Sequence, residues 1–235
     1  MKNRRKLLEC IMAVVLLLLV YICAGKLPAM NAGSSQVTKE EKEEKKVVLL
    51  DAGHGGVDPG KIAVTGVKEK DINLQIALKT EKLLKKAGYE VVMTRESDSG
   101  LYEESDSNKK IADMKKRCLM AEESHADILV SIHQNSYQSE GVKGAQVFYY
   151  SHSEEGKKLA EILQEKFKEN VDPENGRMAK ANDSYYILLN VKCPAVIAEC
   201  GFLSNYQEAE LLEDEKYQEK VAKALTEGIV SYFEE

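Results

Sequence analysis

Proline is scarce, with four in 235 residues, and the body of the chain has no internal repeat and no low-complexity stretch. With 43% hydrophobic and 31% charged residues, this excludes a disordered or fibrous chain and leaves enough apolar surface for one packed core. The length corresponds to one ordinary domain with a short addition, which excludes a multidomain machine. An excess of positive charge is also lacking. Residues 1–46 hold 9 of the 33 basic and 5 of the 39 acidic side chains, leaving 24 against 34 and a net charge of −10 for residues 47–235. Such a body repels nucleic acid backbones, so no nucleic acid partner is expected.

Several catalytic signatures are missing as well. The segment Gly53-His54-Gly55-Gly56 is rich in glycine, as phosphate cradles are, but neither G-x-G-x-x-G nor the G-K-[ST] of a P-loop is present. Ser131 and Ser204 do not sit in G-x-S-x-G, which argues against a serine hydrolase, and there is no H-E-x-x-H. The five cysteines place Cys118, Cys193 and Cys200 in the body, an odd count that indicates no disulfide framework.

What is present begins with an address. Lys2, Arg4, Arg5 and Lys6 precede an apolar run from Leu7 to Ala24 broken only by Glu9, the pattern of a positive n-region and an h-region. Positive residues stay inside, so the remainder is expected to be exported. The run approaches the ~20 residues that span a bilayer, and no clean A-x-A site follows. This favours an uncleaved membrane anchor at 1–24 over a cleaved signal. Residues 25–46 turn polar and end in a mixed charge run with no apolar face, which reads as a solvated tether. The catalytic domain is then 47–235.

Within that domain, short β-branched and aliphatic runs alternate with segments of helical period. Strands are expected at 47–50, 89–94, 127–133, 145–150 and 194–199. Helices are expected from near Asp71 to Gly88, then at 108–124, 155–170, 206–212 and 216–233. Strands apolar on both faces argue an α/β fold, a mostly parallel sheet flanked by helices on both sides. Ligands in such folds gather outside the carboxyl ends of strands, so strand endings are the place to look for chemistry.

Two of the four histidines fall there: His54 after the first strand and His133 at the end of the third, with Glu199 ending the late strand. Two imidazoles and a carboxylate with one open position make a catalytic zinc site, and His54, Glu69 and His133 can supply that set. The glycine-rich loop 53–66 can fold over the sheet edge and bring Glu69 to the imidazoles. Glu199, not needed as a ligand, can act as the general base on a water and then protonate the leaving amine. Each residue also has a plainer reading. His54 could be satisfied by backbone, Glu69 could favour a helix N-terminus, His133 could end a buried strand, and Glu199 could pair with a basic residue.

Four blocks carry a resemblance. They are Val48-Leu49-Leu50-Asp51-Ala52-Gly53-His54-Gly55-Gly56, Glu69-Lys70-Asp71-Ile72-Asn73-Leu74, Ser131-Ile132-His133-Gln134-Asn135 and Glu199-Cys200-Gly201-Phe202-Leu203-Ser204-Asn205. In this order they resemble the zinc-dependent N-acetylmuramoyl-L-alanine amidases of the amidase-3 family. The resemblance implies a single phosphorylase/hydrolase-like α/β domain, Zn2+ on His54, Glu69 and His133, and Glu199 as the catalytic glutamate. It implies as substrate the amide between the lactyl group of N-acetylmuramic acid and L-Ala of the peptidoglycan stem.

The N-terminal anchor, the block at 93–98 and the block at 144–150 are most similar to the spore-cortex branch of the family. That branch prepares muramic-δ-lactam together with a muramic acid deacetylase. The implied partners are therefore peptidoglycan strands with stem peptides, the membrane through the N-terminal segment, that deacetylase as a functional link, and an accessory activator protein. The implied place is extracytoplasmic, in the forespore intermembrane space. Residues 136–143 leave no room for the inhibitory helix of some division amidases of the family. An alternative of another class is a non-catalytic peptidoglycan-binding or activator module with the same fold.

Arg177, Tyr185 and Tyr186 could line a glycan groove, and Asn135 could support a ligand or only form a turn. His125 and His152 are expected on the surface, and Cys200 as a buried hydrophobe on the strand face opposite Glu199.

Overall fold

The computed structural model describes residues 45–235, with positions 4, 6, 11–16 and 18, which are helical. The chain divides into one unit at Met1–Glu44 and another at Lys45–Glu235. Most of the expected anchor at 1–24 and nearly all of the tether at 25–46 lie outside the described residues. Among the described residues, no helix is long and apolar enough to cross a membrane.

The second unit is built from twelve elements. In chain order they are β1 (Val47–Ala52), α1 (Glu69–Lys86), β2 (Glu90–Met93), α2 (Lys109–Glu123), β3 (Ile128–Asn135) and β4 (Gln146–Tyr149). Then come α3 (Glu154–Asn170), β5 (Lys180–Ala181), α4 (Tyr186–Asn190), β6 (Ala195–Phe202), α5 (Tyr206–Glu213) and α6 (Glu215–Glu234). The six strands form one sheet in the order β2-β1-β3-β6-β4-β5. Every neighbouring pair is parallel except β4 with β6.

Side-chain caps start four of the helices. Asn108, Ser153, Asn205 and Asp214 each accept a hydrogen bond from a backbone N–H in the first turn. Helix α1 has no such cap. Its first turn instead carries Glu69 and Asp71 against the positive end of the helix dipole, and Lys85 and Lys86 sit in its last turn.

The sheet is covered on both faces. Val48, Leu50, Val130, Ile132, Val196, Ala198 and Cys200 share a core with residues of α1, α3 and α6. Leu49, Leu129, Phe148 and Ile197 pack on the other face with Ala121 of α2 and Ile187 and Leu188 of α4. The period of two along a strand makes this split, and it decides where the polar residues go. Asp51, Ser131, His133 and Glu199 continue the parity of Leu49, Leu129 and Ile197, so they fall on the α2/α4 face.

Several boundaries differ from expectation. Strands β3 and β6 do not end at His133 and Glu199 but run on to Asn135 and Phe202. They are sheet neighbours and go on pairing with each other after β1 has stopped, with a register shift between His133 and Asn135. Helix α1 starts at Glu69 rather than near Asp71, and the short β5 and α4 were not expected at all. No helix occupies 136–145. His125 and His152 are exposed, and Cys200 is fully buried on the face opposite Glu199.

Candidate active site

The loop after β1 turns sharply. His54 has φ +63°, Gly55 +132° and Gly56 +57°. A left-handed conformation is uncommon for a residue with a side chain, and such strain concentrates at functional positions. Here it turns the His54 ring back toward α1. Its Nε2 lies 3.2 Å from Oε2 of Glu69, and its Nδ1 lies 3.0 Å from Oδ2 of Asp58.

Glu69, as the first residue of α1, points from the helix into this loop. Its Oε2 accepts the backbone N–H of Lys61 and its Oε1 that of Gln134. Oε1 also lies 3.0 Å from Nδ1 of His133. The two imidazoles meet edge to face with centroids 4.9 Å apart. One nitrogen of each histidine and a Glu69 oxygen all lie within 4.8 Å of one another, an arrangement that could hold a metal ion.

Two glycines make this convergence possible. A Cβ on Gly53 would come within 2.3 Å of the His133 ring. At Gly60, with φ +67°, a Cβ would lie 2.6 Å from both Oε2 of Glu69 and Cδ2 of His54.

Electrostatics keep the set ready for a cation. Burial pushes the Glu69 carboxyl up, but its bonds and charge contacts with His133 and His54 outweigh that and hold it well below the usual carboxylate range. Asp58 is likewise held down: burial raises it, and His54 and the Gly60 N–H lower it further. The carboxylate of Asp58 on Nδ1 of His54 favours the tautomer whose Nε2 lone pair faces the cluster.

Glu199 lies beside His133 as its register partner across β3 and β6. Its Oε2 is buried with no hydrogen-bond partner, an expensive state for a carboxylate. Burial pushes its pKa up to about 7, with His133 and His54 pulling down and Glu69 pushing further up. A buried carboxyl poised near neutrality beside a cluster of possible metal ligands is suited to carrying a proton.

Together these side chains line a cavity of about 350 Å³, walled by Tyr185, Tyr186 and Ile187 at α4 and by Lys110 and Met114 of α2. The sequence-based candidates His54, Glu69, His133 and Glu199 are therefore gathered in one place. Tyr185 and Tyr186 do line the cavity, whereas Arg177 stacks on Phe202 and bonds the Lys143 carbonyl away from it. Asn135 accepts the N–H of Ser136, the turn-forming role.

Beneath the ligands lies a polar layer that motif reading did not single out. Asp51, Arg95 and Arg117 are each at most 4% exposed. Asp51 pairs with Arg117 and accepts hydrogen bonds from Thr94 and Ser131. Burial pushes Asp51 up, but the Arg117 charge and the Ser131 hydroxyl outweigh it and bring its pKa down to about 2. Asp51 and Arg95 lie inside recognisable blocks, at 48–56 and 93–98, but Arg117 sits mid-helix with no local signal.

Comparison with known proteins shows what the chain is similar to. Residues 48–231 match the family model described as N-acetylmuramoyl-L-alanine amidase. The germination-specific N-acetylmuramoyl-L-alanine amidase of Bacillus subtilis is 40% identical over 194 residues, covering 81% of each protein. The CwlD amidase of Clostridioides difficile, solved in complex with the GerS lipoprotein, is 42% identical with a TM-score of 0.79, over 81% of this chain and 99% of that one. An N-acetylmuramoyl-L-alanine amidase from Clostridium difficile 630 superposes with a TM-score of 0.73 at 32% identity, over 81% and 97% of the two chains. A glycine-shaped pair of histidines, a carboxylate between them and a buried glutamate beside them thus occur on the expected scaffold, and the chain belongs to the amidase-3 family of N-acetylmuramoyl-L-alanine amidases.

Proposed function

We propose that the protein hydrolyses the amide between the lactyl group of N-acetylmuramic acid and L-Ala of the peptidoglycan stem, with zinc held by His54, Glu69 and His133 and with Glu199 carrying the proton. The observation that carries this reading is the convergence of the three ligand side chains with Glu199 as the register partner of His133. Two imidazoles and one carboxylate match a catalytic zinc set that leaves a position open, and the unpartnered Oε2 of Glu199 fits a group whose partner arrives with the substrate.

Zinc bound there supplies Lewis acidity toward the scissile carbonyl and toward water. The rest of the work belongs to the chain. Asp58 orients His54, and the Lys61 and Gln134 N–H groups hold the two oxygens of Glu69. Glu199 removes a proton from the attacking water. As the carbon–nitrogen bond breaks and the new carbon–oxygen bond forms, it delivers that proton to the α-amino nitrogen of the leaving L-Ala. Tyr185 and Tyr186 offer aromatic faces along the cavity wall to the sugar.

The finer assignment is to spore-cortex maturation, in which the cleaved muramic acid passes to a deacetylase and becomes muramic-δ-lactam. The germination-specific relative and the CwlD relative support it. The lipoprotein complex of the latter supports an accessory protein partner here as well. Export through the basic-apolar segment, retained as an anchor with a polar tether, would put the enzyme in the forespore intermembrane space.

Mass spectrometry of muropeptides incubated with the protein, with and without a zinc chelator, tests the reaction. Stem peptides with a free L-Ala amino end, released only when zinc is present, are expected. Stems still joined to muramic acid with zinc bound would refute the reading.

A further inference from the structure

Two buried guanidinium groups grip the backbone that carries the ligands. Arg95 donates through Nε to the Ala52 carbonyl at 2.9 Å and through Nη2 to the carbonyls of Gly53 at 3.1 Å and Lys70 at 2.7 Å. Gly53 precedes His54 and Lys70 follows Glu69, so a single side chain spans both ligand segments. Its remaining terminal nitrogen, Nη1, donates to the Ser97 carbonyl at 3.0 Å.

Arg117 acts on the other side of the same turn. Its Nη2 donates to the carbonyl of His54 itself at 2.7 Å and its Nη1 to that of Ala52 at 3.0 Å. Nη1 also pairs with Asp51, whose other oxygen accepts the hydroxyl of Ser131 at 2.5 Å, two residues before His133 on β3. Asp113, one helical turn before Arg117, accepts from Nε at 2.5 Å. Both arginines are therefore tied to the elements that hold His54; Arg95 also reaches the segment of Glu69 directly, and Arg117 is linked to the strand of His133 through Asp51 and Ser131.

A covalent scaffold alone does not provide this. The turn at 54–56 has three successive positive φ angles; its Gly55 carbonyl accepts from the Asp58 N–H and its Gly56 carbonyl from Lys70 Nζ, whereas that of His54 accepts from Arg117. A lysine gathers its three donors on one nitrogen, whereas the planar fork of arginine spreads five over carbonyls several ångströms apart.

We propose that Arg95 and Arg117 are positioning residues that set the spacing of His54, Glu69 and His133 before any metal arrives, so that zinc affinity depends on them beyond their contribution to folding. The proposal rests on the zinc reading above. A preorganised site loses less freedom on binding, and partners one shell out from metal ligands commonly change metal affinity by about 10–100-fold.

The test is zinc binding to the full chain, measured by competition with a chromogenic chelator, for wild type, Arg95→Lys and Arg117→Lys. Leu163→Ala, a cavity in the core far from these carbonyls, serves as a control of lowered stability, with the zinc-free Tm recorded for all four. The expected result is a dissociation constant raised about tenfold or more in each arginine variant and unchanged in Leu163→Ala despite its lower Tm. Equal zinc affinity in the folded arginine variants would overturn the proposal. So would an equal loss in Leu163→Ala, which would make affinity a mere reflection of stability. Failure of both lysine variants to fold even with zinc would assign the grip to the fold alone. If wild type itself binds no zinc, the metal reading falls first and the proposal with it.

Discussion

His133 and Glu199 stand opposite each other on adjacent parallel strands, one register step beyond the last pairing of β1. The same pairing that holds the centre of the sheet together thus puts a possible metal ligand next to a possible proton carrier. Four substitutions follow from this arrangement and from the layer beneath it.

Glu199→Gln preserves shape while removing the group that takes and returns a proton. Because Glu199 is not among the converging ligands, zinc content should stay at the wild-type level while turnover of muropeptides falls by about 10²–10⁴-fold. Side-by-side metal analysis and product mass spectrometry decide it. Near-normal turnover would remove Glu199 from the mechanism.

Asp58→Asn addresses the partner of Nδ1 in His54, 3.0 Å away. An amide can offer its own N–H to that nitrogen and so favour the wrong tautomer. Zinc affinity is expected to fall about 10–100-fold with little change in Tm. Chelator competition gives the affinity, and a value within twofold of wild type would show that Asp58 does not orient the ring.

Asp51→Asn removes one of the two carboxylates paired with the buried Arg117, leaving only Asp113, and breaking such a buried pair costs up to about 3–5 kcal/mol. The effect carries a pH signature. The folded carboxyl is brought down to about 2 from the ordinary 3.8, so its stabilisation is complete above the ordinary value. It is lost as the pH falls through the folded one. Thermal unfolding followed from neutral pH downward should show the gap between wild type and variant closing over that acid window. A gap that stays constant would place the effect elsewhere.

Gly60→Ala introduces a methyl group 2.6 Å from Oε2 of Glu69 and from Cδ2 of His54, in a left-handed backbone. The conformation alone costs about 1–2 kcal/mol. The contact must also push the two ligands apart. Zinc retained after dialysis against a weak chelator should drop well below that of wild type, whereas Gly66→Ala, with φ +94° but open space around it, should keep its zinc. Equal retention in both variants would make backbone strain the whole effect.

Much of the architecture was legible because strand and helix periods are local. The apolar spacing in α1, α3 and α6 and the β-branched runs of β1 and β3 announce themselves along the chain. The short β5 and α4 escaped because two and five residues carry no period to read. The sequence pattern ends β3 and β6 too early because their last residues are extended by pairing with each other, a contact that no local pattern contains.

The candidate site divides in the same way. The residue types that can bind zinc, the glycines that let the loop turn, and the strand parity that sends Glu199 and Cys200 to opposite faces are properties of sequence alone. They depend on side-chain chemistry and the repeat of the backbone. The grip of Arg95 and Arg117 on three successive carbonyls, the Asp51–Ser131 link and the reach of Asp58 to His54 were decided by tertiary structure. Arg117 lies 63 residues from the carbonyl it holds at His54 and 66 from its partner Asp51. Only the stacking of α2 against the sheet brings those groups within hydrogen-bonding distance.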